Sequence, residues 1–389
     1  MNMSRIAHRT RLGAILTLAA LVLATGSAPA GAALSTTPDP TLQTDGTVHA
    51  IVRAAGVAYI AGEFTHIRPS GAAPGTNLTA RSYVAAFNAD TGQLLTNWNP
   101  GTNGVVRALA VSANGRSIII GGDFTTAGGA RHKHLASVTT CVDPAGATCS
   151  SPAAVRPSFT GGTDGSVYAL ATDGGRVYVG GLFSRVNGAV HHNLVALNGH
   201  GKSLRFAGAN DLVHALAVSA NGSRLFVGGN FTKVGGNAQR YMAVVTAGAG
   251  VPLPWHFHPK AFTKGITVSP GSVVVVGSGL GGFVDALNPA SGRKQWESWA
   301  DGDIDEAAVY GSQVFITGHF RHIGSKQWPR VHLAALSGRT GKINQNWVAN
   351  QNGVLGGFTV TVAGAQLYAG GNFTKIAGIK QEGLAQFSD

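Results

Sequence analysis

A short phrase centred on Gly-Gly-x-Phe-Thr recurs along the chain and constrains its fold more than any other feature. The phrase reads Gly-Gly-Asn-Phe-Thr at 228–232 and again at 370–374. Its central phenylalanines follow each other at intervals of about fifty to sixty residues, with one gap of about ninety: Phe64, Phe124, Phe183, Phe231, Phe320 and Phe373. The long gap contains one diverged copy at 273–296. The sequence therefore predicts seven units with a period typical of repeat architectures.

The second unit shows the strand pattern of a repeat most clearly. Residues 105–111 alternate in polarity, Asn114-Gly115 provides a tight turn, and 117–124 return as a second strand. A glycine-rich loop then leads to a third strand at 134–140. In the first unit a further turn leads to a fourth strand that ends at Trp98. Four short antiparallel strands per repeat, without helical periodicity, predict an all-β fold, a seven-bladed β-propeller of four-stranded blades.

The two ends of the chain complement each other in this pattern. The last repeat stops after its third strand, and the first repeat is preceded by the segment 34–46. We therefore expect residues near 36–44 to supply the missing outer strand of the last blade and to close the ring. Residues 34–389 would then form a single propeller domain and a monomer. Bulky side chains that end the fourth strands are expected to pack between adjacent blades: Trp98, Phe159, Phe206, Trp255, Trp299 and Trp347.

Residues 1–33 have the pattern of a secretory signal peptide. Arg5, Arg9 and Arg11 form a basic start, residues 12–24 are apolar, and small residues follow at 28–32. An apolar run of this length is too short to span a bilayer, and no later segment is long and apolar enough to do so. The sequence predicts an extracellular protein with a cleaved signal and no membrane span.

The chain contains two cysteines, Cys141 and Cys149, with a turn sequence between them. Export places them in an oxidising compartment, so we expect a local disulfide. Closing such a short loop stabilises the fold by about 2–3 kcal/mol in the chain-entropy account. The spacing is not that of a redox-active Cys-x-x-Cys pair.

Charge provides a weak indication of the partner. The net charge is +12 for the whole chain and about +9 without the predicted signal, although charged residues make up only 12% of the sequence. An excess of basic residues favours contact with anionic polymers such as cell-wall polysaccharides, but it also serves solubility in general. Because no dense run of Lys and Arg with interleaved aromatic residues occurs, the sequence predicts no specific nucleic-acid binding.

The repeat consensus resembles that of the Delta-60 repeat propeller family of exported actinobacterial proteins. Val227–Val234, Leu333–Leu336 with Thr340-Gly341, and Tyr368–Ile376 carry the resemblance, which extends over nearly all of the predicted mature chain. It implies a β-propeller and supplies no catalytic residues and no cofactor. The fifth unit differs, since its residues 285–296 resemble the repeat of quinoprotein dehydrogenases. That likeness leaves an oxidoreductase with pyrroloquinoline quinone as the alternative function.

The loops between second and third strands carry basic residues near the start of the third strand. In a propeller these loops lie on one face, together with the links between blades. We predict that this face binds an anionic or polyhydroxyl ligand, and the candidate contacts are Arg81, Arg131, His132, His191, His192, Arg240 and Arg330. The alternative is that these residues bind carbonyl groups of a recurrent loop, as expected for chemistry that is repeated in every unit. A protein partner on the propeller face is a further alternative.

The sequence provides no strong metal motif. His191-His192 and the pair His256 and His258 lack a carboxylate or cysteine at ligand spacing. The acidic segment 301–306 resembles a calcium loop but lacks the glycine at the sixth position and the glutamate at the twelfth. We therefore predict no metal site, while this segment remains the most distinctive feature that is not repeated.

Overall fold

The computed structural model describes residues 33–140 and 153–389. The predicted signal segment lies outside this range except for Ala33, and Cys141 and Cys149 of the predicted disulfide lie outside it as well. The described residues form strands, turns and loops without an α-helix, so the expected all-β class is confirmed. Within them, no helix is present that could cross a membrane.

Each repeat folds into an antiparallel sheet with its second strand in the middle. The first strands are Val48–Ala54, Val106–Val111, Val167–Asp173, Val213–Val218, Thr263–Ser269, Ile304–Tyr310 and Gly357–Ala363. The second strands are Val57–Gly62, Ser117–Gly122, Arg176–Gly181, Arg224–Gly229, Ser272–Gly277, Gln313–Gly318 and Gln366–Gly371. The third strands are Val84–Asn88, Leu135–Thr139, Leu194–Asn198, Met242–Thr246, Gly282–Leu287, Leu333–Ser337 and Leu384–Phe387.

The fourth strand is full length in the fifth repeat, where it spans Lys294–Ala300. Elsewhere the predicted fourth strand is reduced to a single bridge, as between Phe87 and Leu94. The chain leaves the sheet there because a turn follows directly, in which the Trp98 amide donates to the Leu95 carbonyl at 3.1 Å.

Short two-stranded ribbons extend the loops between second and third strands. They pair His66–Arg68 with Thr79–Ala80, Thr126–Ala127 with Ala130–Arg131, Arg185–Val186 with Ala189–Val190, Lys233–Val234 with Asn237–Ala238, His322–Ile323 with Trp328–Pro329, and Lys375–Ile376 with Ile379–Lys380. Gln43–Thr44 adds to the first of these ribbons.

The paired glycines of the repeated phrase are needed for packing within and between sheets. A Cβ atom on Gly121 would lie 2.5 Å from Cγ1 of Val167 in the next sheet. A Cβ atom on Gly122 would lie 2.1 Å from the Val105 carbonyl oxygen of the same sheet. Both distances are shorter than a van der Waals contact, so only glycine fits. The phenylalanine that follows, Phe124, is fully buried.

An Asn or Asp ahead of the first strand fixes the loop that follows the repeated phrase. The Asn103 side-chain oxygen accepts hydrogen bonds from the Thr125 and Thr126 amides, both at 2.8 Å. Asp301 accepts equivalent bonds from the Arg321 and His322 amides at 2.7 and 2.9 Å. These contacts recur because the amides at the start of the loop no longer have a strand partner, and the side-chain oxygen takes its place.

Aromatic residues pack between neighbouring sheets, as predicted. Trp98 is fully buried against Tyr59, with ring centroids 4.9 Å apart, and its Nε1 donates to the Thr139 carbonyl at 2.9 Å. The prediction is wrong for Trp299, which is 44% exposed. Trp296 takes the buried position, and its Nε1 donates to the Gly338 carbonyl at 2.7 Å. Residues three apart on an extended strand point to opposite faces, so only one of the two packs inward.

The N-terminal segment runs beside the last third strand. The Ser35 amide donates to the Ser388 carbonyl at 2.8 Å, and the Asp39 amide donates to the Gln386 carbonyl at 2.7 Å. The Trp347 indole donates to the Ser35 carbonyl at 3.1 Å. The segment therefore forms hydrogen bonds with the last sheet and with Trp347, which follows the third strand of the preceding sheet.

Candidate functional site

The first strands share an irregularity that positions one side chain from each of them. Their pairing register shifts at the second residue, which has no direct partner on the second strand. Such a bulge changes the direction of a side chain. The residues at this position are His49, Arg107, Tyr168, His214, Lys264, Asp305 and Phe358, and all of them line one cavity of about 200 Å³. We call this cavity the central mouth, because the first strand of every sheet lines it.

Small side chains follow the bulge residues and let the first strands approach each other around the mouth. Ala50, Ala108, Ala169 and Ala215 line the wall of the cavity. The bulge residues differ from strand to strand, whereas the residues around them repeat. The mouth is therefore the place where a repeated scaffold presents side chains that are not repeated.

Two bulge residues contact the carboxylate at the variable position of the Gly-Gly-x-Phe phrase. Arg107 lies 2.7 Å from the Asp123 carboxylate, and His49 Nε2 lies 2.9 Å from Glu63. Burial alone raises the pKa of Asp123, but its hydrogen bonds, above all the one from Arg107, leave that pKa below the ordinary value. Burial lowers the pKa of His49 despite the nearby carboxylate.

Lys264 joins two carboxylates on the opposite side of the mouth. Its Nζ lies 3.0 Å from Asp303 and 2.9 Å from Asp305. Burial opposes the charged form of Lys264, yet the attraction of Asp305 raises its pKa above the ordinary value. Burial also raises the pKa of Asp305, and it outweighs the attraction of the lysine. This side of the mouth therefore holds a cation between two acceptors.

Aromatic and imidazole rings complete the lining. Tyr168 lies 5.8 Å from His214, and Phe358 lies 4.9 Å from His49, in edge-to-face pairs. Burial, followed by the charge of Lys264, lowers the pKa of His214 to about 4, so this imidazole is neutral at neutral pH. The mouth thus combines paired charges, neutral hydrogen-bonding rings and apolar ring edges.

Two of the seven residues predicted to contact a ligand are used within the scaffold. Arg81 and Arg330 are 4% and 6% exposed. The Arg81 guanidinium donates to the Ala80 carbonyl at 2.8 Å and the Thr96 carbonyl at 3.1 Å. Arg330 makes equivalent bonds to Pro329 and Gln345. For these two arginines, the structure matches the alternative in which a recurrent base binds loop carbonyls.

The other five predicted residues lie on the outer loops of three different sheets. Arg131 and His132 line a groove of about 710 Å³, and burial lowers the pKa of His132. His191 is half-buried and His192 is exposed in the next sheet, while Arg240 is exposed with its guanidinium 4.9 Å from the Tyr241 ring. None of the five lines the central mouth. Their role in binding stays a prediction.

Sequence reasoning missed the residues of the central mouth. The signal for them was the variable second residue of each Val-x-Ala-Leu strand, where polar or aromatic residues replace one another from repeat to repeat. In a regular strand such a position is only one half of a polar and apolar alternation, so nothing marks it as special. The bulge that directs the side chain at this position toward the mouth is visible only in the structure.

The aspartates of the acidic segment 301–306 are bound by other groups of the same chain. Asp301 binds loop amides and His322, and Asp303 and Asp305 pair with Lys264. Across 33–140 and 153–389, no group of three His, Cys, Asp or Glu side chains converges on a position that would hold a metal ion. The segment therefore belongs to the scaffold and to the wall of the mouth.

No protein-family model and no curated protein matches the chain. Solved structures do match. A mitotic checkpoint complex structure contains a chain with TM-score 0.55 and 13% identity, covering 92% of this chain and 96% of that chain. The WD40 β-propeller domain of Doa1 matches with TM-score 0.54 and 12% identity over 90% and 97%. The computationally designed Ika8 protein matches with TM-score 0.53 and 11% identity over 90% and 98%. These likenesses support the β-propeller fold.

Proposed function

We propose that the chain is a seven-bladed propeller, closed by its N-terminal segment, that binds a polyhydroxyl ligand in its central mouth. Three observations support the ring. First strands contact each other in chain order, and Gly357–Ala363 contacts Val48–Ala54. Segment 35–39 bonds to the last third strand. One cavity is lined by the first strand of every sheet.

The single observation that carries the binding proposal is the ring of unlike side chains at the bulge position. A residue with a structural role recurs at the same position in every repeat, whereas a binding site requires a particular set of groups in one place. Here Arg107, Tyr168, His214 and Lys264 occupy equivalent positions and differ in chemistry. A concave cavity with a few convergent polar groups is also the usual form of a ligand site.

The chemistry of the mouth favours hydroxyl groups over a bare anion. Each cation is already paired, Arg107 with Asp123 and Lys264 with Asp303 and Asp305. Paired charges present donors and acceptors side by side, which suits hydroxyl groups that donate and accept at once. The Tyr168 and Phe358 rings add apolar surface for the C–H face of a sugar ring. With the predicted export, a glycan of the cell envelope is the ligand class we propose.

The quinoprotein alternative rests on residues 285–296, and these residues have a packing role. Trp296 lies against Gly341 of the next sheet and bonds to Gly338. Asp285 pairs with Lys294 at 2.7 Å within its own sheet. The likeness is therefore explained by blade packing, which supports a binding protein over an oxidoreductase.

The test is a binding screen against arrayed glycans and wall polysaccharide fractions at low and high salt. We expect Arg107→Gln and Lys264→Gln each to lower the affinity of a ligand found in this way by at least about tenfold, a loss of roughly 1.4 kcal/mol. Arg131→Ala and Arg240→Ala on the outer loops are the matched controls and should leave it unchanged.

Salt dependence separates the mouth from the outer loops. Binding through exposed cations weakens steeply as salt rises, because screening acts within about 8 Å at physiological ionic strength. Hydrogen bonds in the mouth should change little over the same range. Loss of binding in the outer-loop variants, with strong salt dependence and full affinity in the mouth variants, would overturn the proposal.

A protein partner on the propeller face is a second candidate, favoured by exposed apolar side chains in loops that lead into the first strands or follow a second strand. Leu280, Val354 and Leu355 are 113%, 81% and 56% exposed, and Phe262 is 42% exposed. Val354 and Leu355 are adjacent in the chain, and neighbouring exposed apolar side chains indicate an interaction site. Replacing Leu280, Val354 and Leu355 by Ser should abolish capture of such a partner. The control is Val251→Ser, 54% exposed in a turn between third and fourth strands.

A further inference from the structure

A second cavity of about 720 Å³ lies beneath the central mouth. Its walls are mainly apolar and include Val218, Val268, Val309 and Val362. Pro270 and Gly311, in the turns between first and second strands, form its outer edge. The cavity is therefore reached from the face opposite the mouth, and its volume lies in the range of small-molecule sites.

One carboxylate, Glu306, lines both this lower cavity and the mouth above it. It is the third residue of its first strand, where the other first strands have a small residue: Ala50, Ala108, Ala169, Ala215, Gly265 and Thr359. A glutamate at this point is a single departure from a repeated pattern. The packing of the strands does not require it, since small residues serve in the other repeats.

The carboxylate of Glu306 has hydrogen-bond donors but no cationic partner. It accepts from the Val360 amide at 3.2 Å and from the Thr359 hydroxyl. Within the described residues, Glu306 forms no ion pair. The nearby Lys264 pairs with Asp303 and Asp305 instead. Buried carboxylates are stabilised by a cation, and an unpaired one is costly.

The groups around Glu306 explain its protonation. Burial above all, together with the charge of the neighbouring Asp305, raises its pKa to about 7. The first strand of the preceding sheet contributes Lys264, and the loop after Gln313–Gly318 contributes His319, both directed at Asp305. The strand of the following sheet, Gly357–Ala363, contributes no titratable side chain. A cation in the lower cavity would favour the ionised form.

We propose that the lower cavity binds an organic ammonium ion whose charged nitrogen donates to Glu306 and whose apolar body lies among the valines. An apolar neutral molecule would leave the carboxylate without a cationic partner. A metal ion would need several further oxygen ligands, which the valine walls do not supply. This inference does not depend on the glycan proposal, because it concerns a different cavity and a different residue.

The test uses hexylamine as the probe, with hexanol and hexanoate as neutral and anionic counterparts of the same length. Binding is measured by calorimetry and by ligand-observed NMR at pH 8, where Glu306 is ionised and the amine is protonated. We expect the full chain to bind hexylamine at least tenfold more tightly than hexanol, and hexanoate more weakly than either.

Two variants assign the binding to the cavity. Glu306→Gln keeps the shape and should remove the preference for the amine, whereas Val362→Phe fills the apolar part and should weaken both hexylamine and hexanol. Glu306→Ala reproduces the residue found in other repeats, so it provides a folded comparison. Equal affinity of hexylamine for the wild type and Glu306→Gln, or no binding of hexylamine by the wild type at millimolar concentration, would refute the proposal. Either result would leave the mouth variants Arg107→Gln and Lys264→Gln as an independent test of glycan binding.

Discussion

Replacing Glu306 by Ala should stabilise the protein at alkaline pH. The ordinary pKa of this glutamate is 4.5, and burial first of all raises it to about 7 in the folded protein. Below pH 4.5 the carboxyl group is protonated in both folded and unfolded states and has no effect on stability. As the pH rises from 4.5 to 7 the unfolded state loses the proton first, so the folded state loses stability.

The size of the effect follows from the same two values. The difference between 4.5 and about 7 corresponds to a loss of about 3 kcal/mol, complete above pH 7. The alanine variant does not have this loss. It does lose the hydrogen bonds to Val360 and Thr359, which contribute about 1 kcal/mol each. We therefore expect the variant to gain about 3 kcal/mol relative to wild type between pH 4.5 and pH 8.5.

Urea unfolding followed by tryptophan fluorescence at pH 4.5 and pH 8.5 measures this change. Contributions of the other titrating groups cancel when the variant is compared with wild type at each pH. Glu306→Gln, which keeps the side-chain shape without the charge, should show the same pH dependence. A difference between variant and wild type that is equal at both pH values would refute the assignment of a raised pKa to Glu306.

Three further predictions concern the scaffold and the mouth. Arg81→Ala should destabilise the fold by about 1–3 kcal/mol in chemical unfolding, because loop carbonyls lose their donors, while exposed Arg240→Ala should not. Gly121→Ala should cost about 1–3 kcal/mol by overpacking, whereas Gly271→Ala, whose Cβ would meet nothing within 4 Å, should be tolerated. His214, with a pKa of about 4, should show no NMR titration between pH 6 and 8, and a midpoint near 6.5 would contradict its burial.

Local patterns allowed much of the fold to be predicted. The turn at Asn114-Gly115, the paired glycines and the buried phenylalanine each restrict the backbone within a few residues, so strand positions followed from them. The prediction was wrong where a choice depended on neighbouring sheets. Trp296 and Trp299 are the same residue type in the same strand, so the sequence does not distinguish them. Only the path of Lys294–Ala300 decides which of the two faces the next sheet.

The candidate site could not be predicted from the sequence to the same extent. The basic residues near the start of the third strands were visible as a pattern. The two buried ones, Arg81 and Arg330, bind loop carbonyls. For these two arginines, repetition indicated a scaffold role, in agreement with the alternative interpretation. No motif in the neighbouring sequence identifies the residues of the mouth, because each occupies one variable position in an otherwise ordinary strand.

The sequence by itself determined the repeat, the strand order within a sheet and the need for glycine at close contacts, since these depend on backbone geometry over short distances. Only the tertiary structure decided which side chains meet. His49 and Phe358 are separated by most of the chain, yet their rings lie 4.9 Å apart. Glu306 lies between two cavities because neighbouring first strands converge there. Such encounters depend on the arrangement of whole sheets around a centre, and a linear pattern of residues does not contain that arrangement.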